Sequence, residues 1–370
     1  MENVSPNNPH RILVRGVNWL GDAVMTTPAL LRLREKFPDA HIALLTPEKL
    51  RDLWLNHPAV NETISFGVGE TIFAVGKRLR AAKFDVALVL PNSPRSAIEV
   101  FLAGIPRRLG YARPWRNFFL TQTIAPRAGA VKMRKRSVAE IQRLISRAPA
   151  SKSDLPKTAH QNHEYLHLVA ELGANPEPLA PQLFVTTDEI QAVKTKFGLE
   201  KISKPILGLN AGAEYGPAKR WPTDRFISAA KEIQQQTDCT WILFGGKNDL
   251  EITRQIASEA QNQKLNVQNL VGKTSLRELM AALKICNALL TNDTGPMHLA
   301  AALGVSIVAI FGSTSPELTG PIFSNGTRIL KSDAPCSPCF LRECPIDFRC
   351  MKGIAVEQVV AEVLKVTSQD

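Results

Sequence analysis

What this chain lacks narrows its reading first. Nowhere do its apolar residues run for the roughly 20 positions that a helix needs to cross a bilayer, which argues against a membrane-spanning helical protein. The opening, Met1 to Pro9, is polar and rich in Pro and Asn. It has neither the cationic start nor the apolar middle of a secretory signal, and it reads as a frayed tail on a cytoplasmic protein. Acidic residues are short: 34 Asp and Glu stand against 45 Lys and Arg, a formal charge of +11. That excess points to acidic partners, namely nucleic acid, an anionic membrane surface or a phosphorylated substrate. Aromatic residues make up only 6% of the chain. Trp115, Phe118 and Phe119 fall among the basic residues that cluster from Arg107 to Arg147. No nucleic-acid recognition motif accompanies them, so a stacking platform for nucleic acid is the weaker reading.

Nucleotide fingerprints are missing too. The loop Gly16 to Asp22 lacks the G-x-G-x-x-G spacing of dinucleotide binders, and Gly272-Lys273-Thr274 fails as a phosphate loop because position 267 is Val, not Gly. His163-Glu164-Tyr165-Leu166-His167 has the spacing of a zinc-protease helix. Around it Leu166, Val169, Ala170 and Leu172 read as a core face, and no third ligand follows, so no catalytic metal is expected there. Of six cysteines, Cys336, Cys339, Cys344 and Cys350 cluster as C-x2-C-x4-C-x5-C. In a cytoplasmic chain such clustering favours metal or thiol chemistry over disulfides. Free thiols are the expectation, with a structural metal site as the alternative.

What is present is one device used twice. Arg11 to Arg15 is a short apolar strand running into the Gly-bearing turn Gly16 to Asp22, and a helix fits Ala23 to Lys36. Strands follow at His41 to Leu45 and Val86 to Leu90. In the second half Ile206 to Leu209 runs into Asn210 to Gly216, and a helix fits Asp224 to Gln235. Strands at Trp241 to Phe244, Ala288 to Thr291 and Ile307 to Phe311 complete the pattern, with a capping box at Ser275 to Glu278. Strands alternating with helices predict parallel doubly wound sheets. The expected architecture is α/β: a Rossmann-like domain over 1–185, a second over 186–353, and a terminal helix over 354–370 packing on either. Ligands of such sheets bind at the carboxyl ends of strands, which here means a cleft between the domains.

Three places at strand ends carry candidate chemistry. Asn292 to Leu303 is a strand end opening a helix with Pro296 in its first turn, a geometry that aims backbone N–H groups and the helix dipole at an anion. Lys219 follows the Gly-rich run from Gly212 and can offset charge on a departing diphosphate. Asp22 lies at a strand–helix junction, where a carboxylate is either a simple cap or a base for a hydroxyl nucleophile.

The segments Asn18 to Asp22, Leu90 to Ser93, Gly212 to Pro222 and Asn292 to His298 together resemble the heptosyltransferases of lipopolysaccharide core synthesis, glycosyltransferases of the GT-B type. The likeness runs from Ile12 to about Val366. It implies inverting transfer of heptose from ADP-L-glycero-D-manno-heptose onto the first heptose of a lipid A–Kdo–heptose acceptor, with no metal or other cofactor. Asp22 is then the base and Lys219 the diphosphate ligand. The resemblance puts Gly212, Ala213, Glu214, Thr294, Gly295 and His298 by the diphosphate, Asp293 on the sugar, Thr274 by the adenine, and Asp249 or Glu251 on the ribose. Asn18, Trp19, Gly21, Asn92, Ser93, Arg113, Arg116, Arg134 and Arg136 face the acceptor, and the positive charge holds the enzyme at the cytoplasmic face of an anionic inner membrane. The alternatives are another core glycosyltransferase of the same family, heptosyltransferase I included, and a basic nucleic-acid-binding protein.

Overall fold

The computed structural model describes residues 9–146, 155–321 and 323–368; residues 1–8 of the opening tail and Arg147 lie outside them. The chain divides into two compact units. One holds residues 9–130 and Pro156–Phe184; the other holds residues 131–146, 155 and those from Val185 onward.

In the first unit the elements are β1 (Arg11–Arg15), α1 (Leu20–Met25), α2 (Thr27–Lys36), β2 (His41–Pro47), β3 (Glu62–Phe66), α3 (Ile72–Ala81), β4 (Val86–Val89), α4 (Pro94–Leu102), β5 (Arg107–Tyr111) and β6 (Gln122–Ile124). Next comes α5 (Val138–Ile145), which sides with the second unit, and then α6 (Asn162–Ala170), which returns to the first. The strands form one parallel sheet in the order β3-β2-β1-β4-β5-β6. Ile12 to Val14, Ala43 to Leu45 and Ala87 to Val89 are buried throughout, as strands covered on both faces must be. The helix expected over Ala23 to Lys36 is two helices, α1 and α2, meeting at Thr26 with Pro28 in the first turn of the second. Proline has no N–H to donate, so it sits where a helix begins.

The second unit repeats the plan with α7 (Thr187–Phe197), β7 (Ile206–Asn210), α8 (Thr223–Thr237), β8 (Thr240–Leu243), α9 (Leu250–Asn262), β9 (Val267–Asn269), α10 (Leu276–Ile285), β10 (Ala288–Asn292), α11 (Gly295–Ala302), β11 (Ser306–Phe311), α12 (Pro316–Thr319), β12 (Thr327–Lys331), α13 (Arg349–Lys352) and α14 (Val356–Thr367). Its parallel sheet has the order β12-β11-β10-β7-β8-β9. Counted from its own first strand, each unit therefore reads 3-2-1-4-5-6, the doubly wound order. The order reverses between β1 and β4 in one unit and between β7 and β10 in the other. There the connections leave in opposite directions, and the strand ends are left open to a ligand.

The terminal helix α14 packs on the second unit: Val359, Val360, Val363 and Val366 share a core with Phe226, Ile233 and Trp241. Residues 131–146, read from the sequence as part of the first half, also join the second unit. The reason is local. Arg136 donates its N–H to Cys339 O at 3.0 Å, and α5 buries Ile141 against Cys336 and Cys339.

Phe226 is fully buried, edge-on to Trp221 with ring centroids 5.0 Å apart. Phe226→Ala leaves a cavity where α8 and α14 meet the sheet, and should cost about 3–5 kcal/mol, read as a lower urea midpoint with unchanged slope.

Candidate active site

At the reversal point of the second unit, the loop after β7 and the end of β10 meet in a charged cluster. Lys219 Nζ lies 2.6 Å from Asp293 Oδ2, and the Thr314 hydroxyl donates to the same oxygen at 2.5 Å. Burial would push the Asp293 carboxyl up, but the Lys219 charge and the hydrogen bonds from Lys219 and Thr314 outweigh it and hold the group below its usual range. One residue on, Thr294 is the N-cap of α11, yet its side chain makes no capping bond. Its hydroxyl instead accepts from Asn210 Nδ2 at 2.8 Å and lies 3.2 Å from Thr291 Oγ1. The first-turn N–H groups of α11 are thereby left to a ligand, beside the Lys219 ammonium, which is the arrangement of an anion site. His298, in the first turn and a half of α11, is buried, and burial brings its pKa down to about 4, so it is neutral at physiological pH.

The Gly-rich loop is shaped by close approach. A Cβ on Gly212 would collide with the Asp249 carboxylate, and Gly216, at φ +152°, lies against the main-chain oxygen of Arg342. Asp249 Oδ2 accepts from Gly246 N at 3.0 Å, while its buried Oδ1 makes no hydrogen bond and sits 3.8 Å from Arg220 Nη2. A buried carboxylate oxygen without a donor calls for a partner. Glu251 points elsewhere, exposed and paired with Arg254 at 3.3 Å. Glu214 is exposed at the loop's tip, and Thr274 is half-buried between β9 and α10. Asn292 ties the loop down: its Nδ2 donates to Ala211 O at 2.8 Å, and its Oδ1 accepts from Trp221 N at 3.0 Å.

The first unit builds its own reversal point. Arg15, at the end of β1, is buried and pairs through Nε with Glu99 Oε2 of α4 at 2.8 Å. Its Nη1 reaches Gly16 O and Asn18 Oδ1, at 2.5 and 3.2 Å. This fixes the loop that carries Asn18, Trp19, Gly21 and Asp22. Asp22 is half-buried in the first turn of α1. Burial pushes the Tyr165 phenol up and the Asp22 charge adds to the push, which places the carboxylate near α6. At the end of β4, Asn92 and Ser93 are exposed, with Ser93 capping α4 through a bond from Ser96 N.

These two strand-end constellations are found in a chain whose residues 72–348 match the model of glycosyltransferase family 9 (heptosyltransferase). The chain belongs to glycosyltransferase family 9. It is an enzyme of glycosyl transfer, 33% identical to lipopolysaccharide heptosyltransferase 2 of Escherichia coli K12 over 87% of its own length and 88% of that protein's. It is 31% identical to lipooligosaccharide heptosyltransferase 2 of Haemophilus influenzae over 86% and 88%. The solved structure of ADP-heptose lps heptosyltransferase II from E. coli superposes with a TM-score of 0.78 at 29% identity, covering 97% of this chain and 99% of the other. The fold is that of the GT-B glycosyltransferases.

Within this glycosyltransferase several sequence expectations change. Arg116, expected to face an acceptor, is fully buried; its Nη1 donates to Pro91 O at 2.7 Å and to Asn92 Oδ1 at 3.3 Å, so it supports the Asn92 loop from behind. Burial lowers its pKa to about 10. Arg134 is exposed but doubly bonded to Glu140, which Arg136 also approaches; both belong to the second unit. Arg113 remains half-buried in the first. In the zinc-protease-like helix, Glu164 pairs with Arg127 at 3.4 Å and His167 Nδ1 lies 3.0 Å from the Tyr111 hydroxyl, so both are engaged by the protein. Cys336, Cys339, Cys344 and Cys350 line one cavity and form no disulfide; burial first, then the other three sulfurs, pushes the Cys350 thiol up to about 12. Among the described residues no group of three or more His, Cys, Asp or Glu is arranged to hold a metal ion.

The Cys segment instead buttresses the loop after β7: Phe340 O accepts from the Tyr215 hydroxyl at 2.8 Å, and Arg342 O from Ala218 N at 2.9 Å. Tyr215, Arg342, Thr314 and Asn210 were missed from sequence. Asn210 and the Ser313-Thr314-Ser315 run could have been flagged as polar residues at strand ends; nothing local marks Arg342.

His298 and His57 both have folded pKa values of about 4 against a usual 6.5, lowered by burial. The unfolded chain therefore takes up these protons first, and stability present above 6.5 is lost as pH falls towards 4. The urea midpoint should fall between about pH 7 and about pH 5, and His57→Gln should shrink the drop. Equal drops in both proteins would argue against neutral burial of His57.

Proposed function

We propose that this glycosyltransferase carries out the heptosyltransferase II reaction: inverting transfer of heptose from ADP-heptose to the first heptose of a lipid A–Kdo–heptose acceptor, at the cytoplasmic face of the inner membrane. The observation that carries it is the Lys219–Asp293–Thr314 cluster beside the open N-terminus of α11. Departure of ADP builds negative charge on the β-phosphate. Lys219 and the N–H groups near Thr294 and Gly295 meet that charge, with the backbone of Gly212 to Glu214, and no metal need enter. Neutral His298 adds a hydrogen-bonding group without a second charge. Asp293 holds Lys219 in place and takes a hydroxyl of the sugar, Asp249 takes the ribose through its unpartnered Oδ1, and Thr274 lies by the adenine.

On the acceptor side, Asp22 removes the proton of the attacking hydroxyl. The oxygen forms the new bond at the anomeric carbon on the face opposite the phosphate, and the C–O bond to ADP breaks with its electron pair leaving on the phosphate. Asn18, Trp19, Gly21, Asn92, Ser93 and Arg113 bind the acceptor. Arg116 positions Asn92 rather than touching substrate.

Purified protein given ADP-heptose should extend a core that bears one heptose and leave the heptose-free core unchanged; the reverse preference would make it a heptosyltransferase of type I. Asp22→Asn should bind ADP-heptose nearly as well as the wild type while turnover falls by roughly a hundredfold or more; near-normal turnover removes Asp22 as base. Lys219→Ala should lose both transfer and ADP affinity, measured by calorimetry.

A further inference from the structure

Several aromatic rings of the first unit stand in water. The connection from β5 to β6 holds Trp115 at 89% exposure, with its backbone at φ 65°, and Phe118 at 83%. Phe118 packs edge-on to Phe119 with centroids 5.6 Å apart, and Phe119 packs edge-on to Phe101 at 5.4 Å; Phe101, at the end of α4, is itself 39% exposed. The three phenyl rings thus form one ridge, with Trp115 on the same short loop. Leaving such rings in water is unfavourable relative to burying them, and a contiguous apolar patch marks a contact surface.

Three arginines flank the ridge. The Arg108 guanidinium lies 5.4 Å from the Phe101 ring centroid and donates to the carbonyl oxygens of Phe119 and Ile105. Arg80 donates to Leu102 O and Arg113 to Ala112 O. Among the described residues none of these three arginines pairs with a carboxylate; their bonds to main-chain oxygens fix them without cancelling their charge. Behind the loop, buried Arg116 adds another cation whose Nε and Nη2 have no partner.

We propose that this ridge is the surface by which the enzyme docks on an anionic phospholipid bilayer. Phe118 and Trp115 enter the headgroup–acyl boundary, while Arg80 and Arg108 meet lipid phosphates. The combination suits a membrane better than nucleic acid. Bases stack on flat faces, whereas the Phe118–Phe119 and Phe101–Phe119 planes stand at 89° and 69° and offer a jagged edge. The inference rests on the reading that the acceptor is a membrane lipid, and it says which face meets the lipid.

The test is flotation of the full chain with phosphatidylcholine vesicles with and without added phosphatidylglycerol, for the wild type and for Trp115→Ala/Phe118→Ala. The wild type should bind the anionic vesicles and release them at high salt, and the double variant should bind roughly tenfold or more weakly. Its thermal midpoint should be unchanged, since both rings are exposed. Brominated lipid should quench wild-type tryptophan fluorescence and quench Trp115→Phe much less. Transfer to a deacylated, water-soluble acceptor should proceed at the wild-type kcat/KM in the double variant. No vesicle binding by the wild type, equal binding by the variant, a loss of transfer to the soluble acceptor, or preferential binding to RNA or DNA overturns the proposal. Vesicle binding without any heptosyl transfer would instead uphold this surface and sink the proposed reaction.

Discussion

The ion pair between Lys219 and Asp293 joins the loop after β7 to the end of β10, two hydrogen-bonded parallel strands, and the polar cluster at that end of the second unit is organised around it. A carboxylate as buried as Asp293 is costly unless a cation and donors surround it; Lys219 and Thr314 supply both. The same contact keeps an otherwise flexible lysine at the mouth of α11. Without it, the Gly212–Lys219 loop would retain its Asn292 and Arg342 anchors but not a fixed ammonium.

The first unit solves the corresponding problem with a corresponding device. Arg15 ends β1, Glu99 lies in the helix after β4, and their buried pair ties together the two connections that diverge there. Arg95 reaches the other oxygen of Glu99 at 2.9 Å, and the Arg15 guanidinium lies 4.6 Å from the Phe66 ring centroid. In both units, then, a buried ion pair sits where the strand order reverses. A doubly wound sheet opens its strand ends there, and opening them leaves polar groups that must be held.

The excess of basic residues proves to have several unrelated uses. Arg15 and Arg116 are interior supports, Arg134 and Arg136 close on Glu140, and Lys219 is held against Asp293. Arg80, Arg108 and Arg113 keep an uncompensated charge on the surface. Net charge points to acidic partners, but it assigns no residue to any of them, because desolvation and pairing are set by neighbours remote in the chain.

The alternation of apolar strands with helices, the Gly-bearing turns and the capping box at Ser275 were legible from local pattern alone, since strand burial and helix capping depend on residues a few positions apart. β1 falls where the pattern placed it, β7 and β10 each run one residue further, and α14 takes up Val356–Thr367 of the terminal segment expected over 354–370. The family motifs at Asn18 to Asp22 and Asn292 to His298 were legible for the same reason: each is one contiguous turn. What only the tertiary structure decided lies between distant segments. It set Asp249 rather than Glu251 against Gly212, buried Arg116, placed residues 131–146 with the second unit, and set the Arg342 carbonyl against Gly216. Each of these depends on which side chains are shut off from water by chain that folds back from elsewhere, and no local period in the sequence records that.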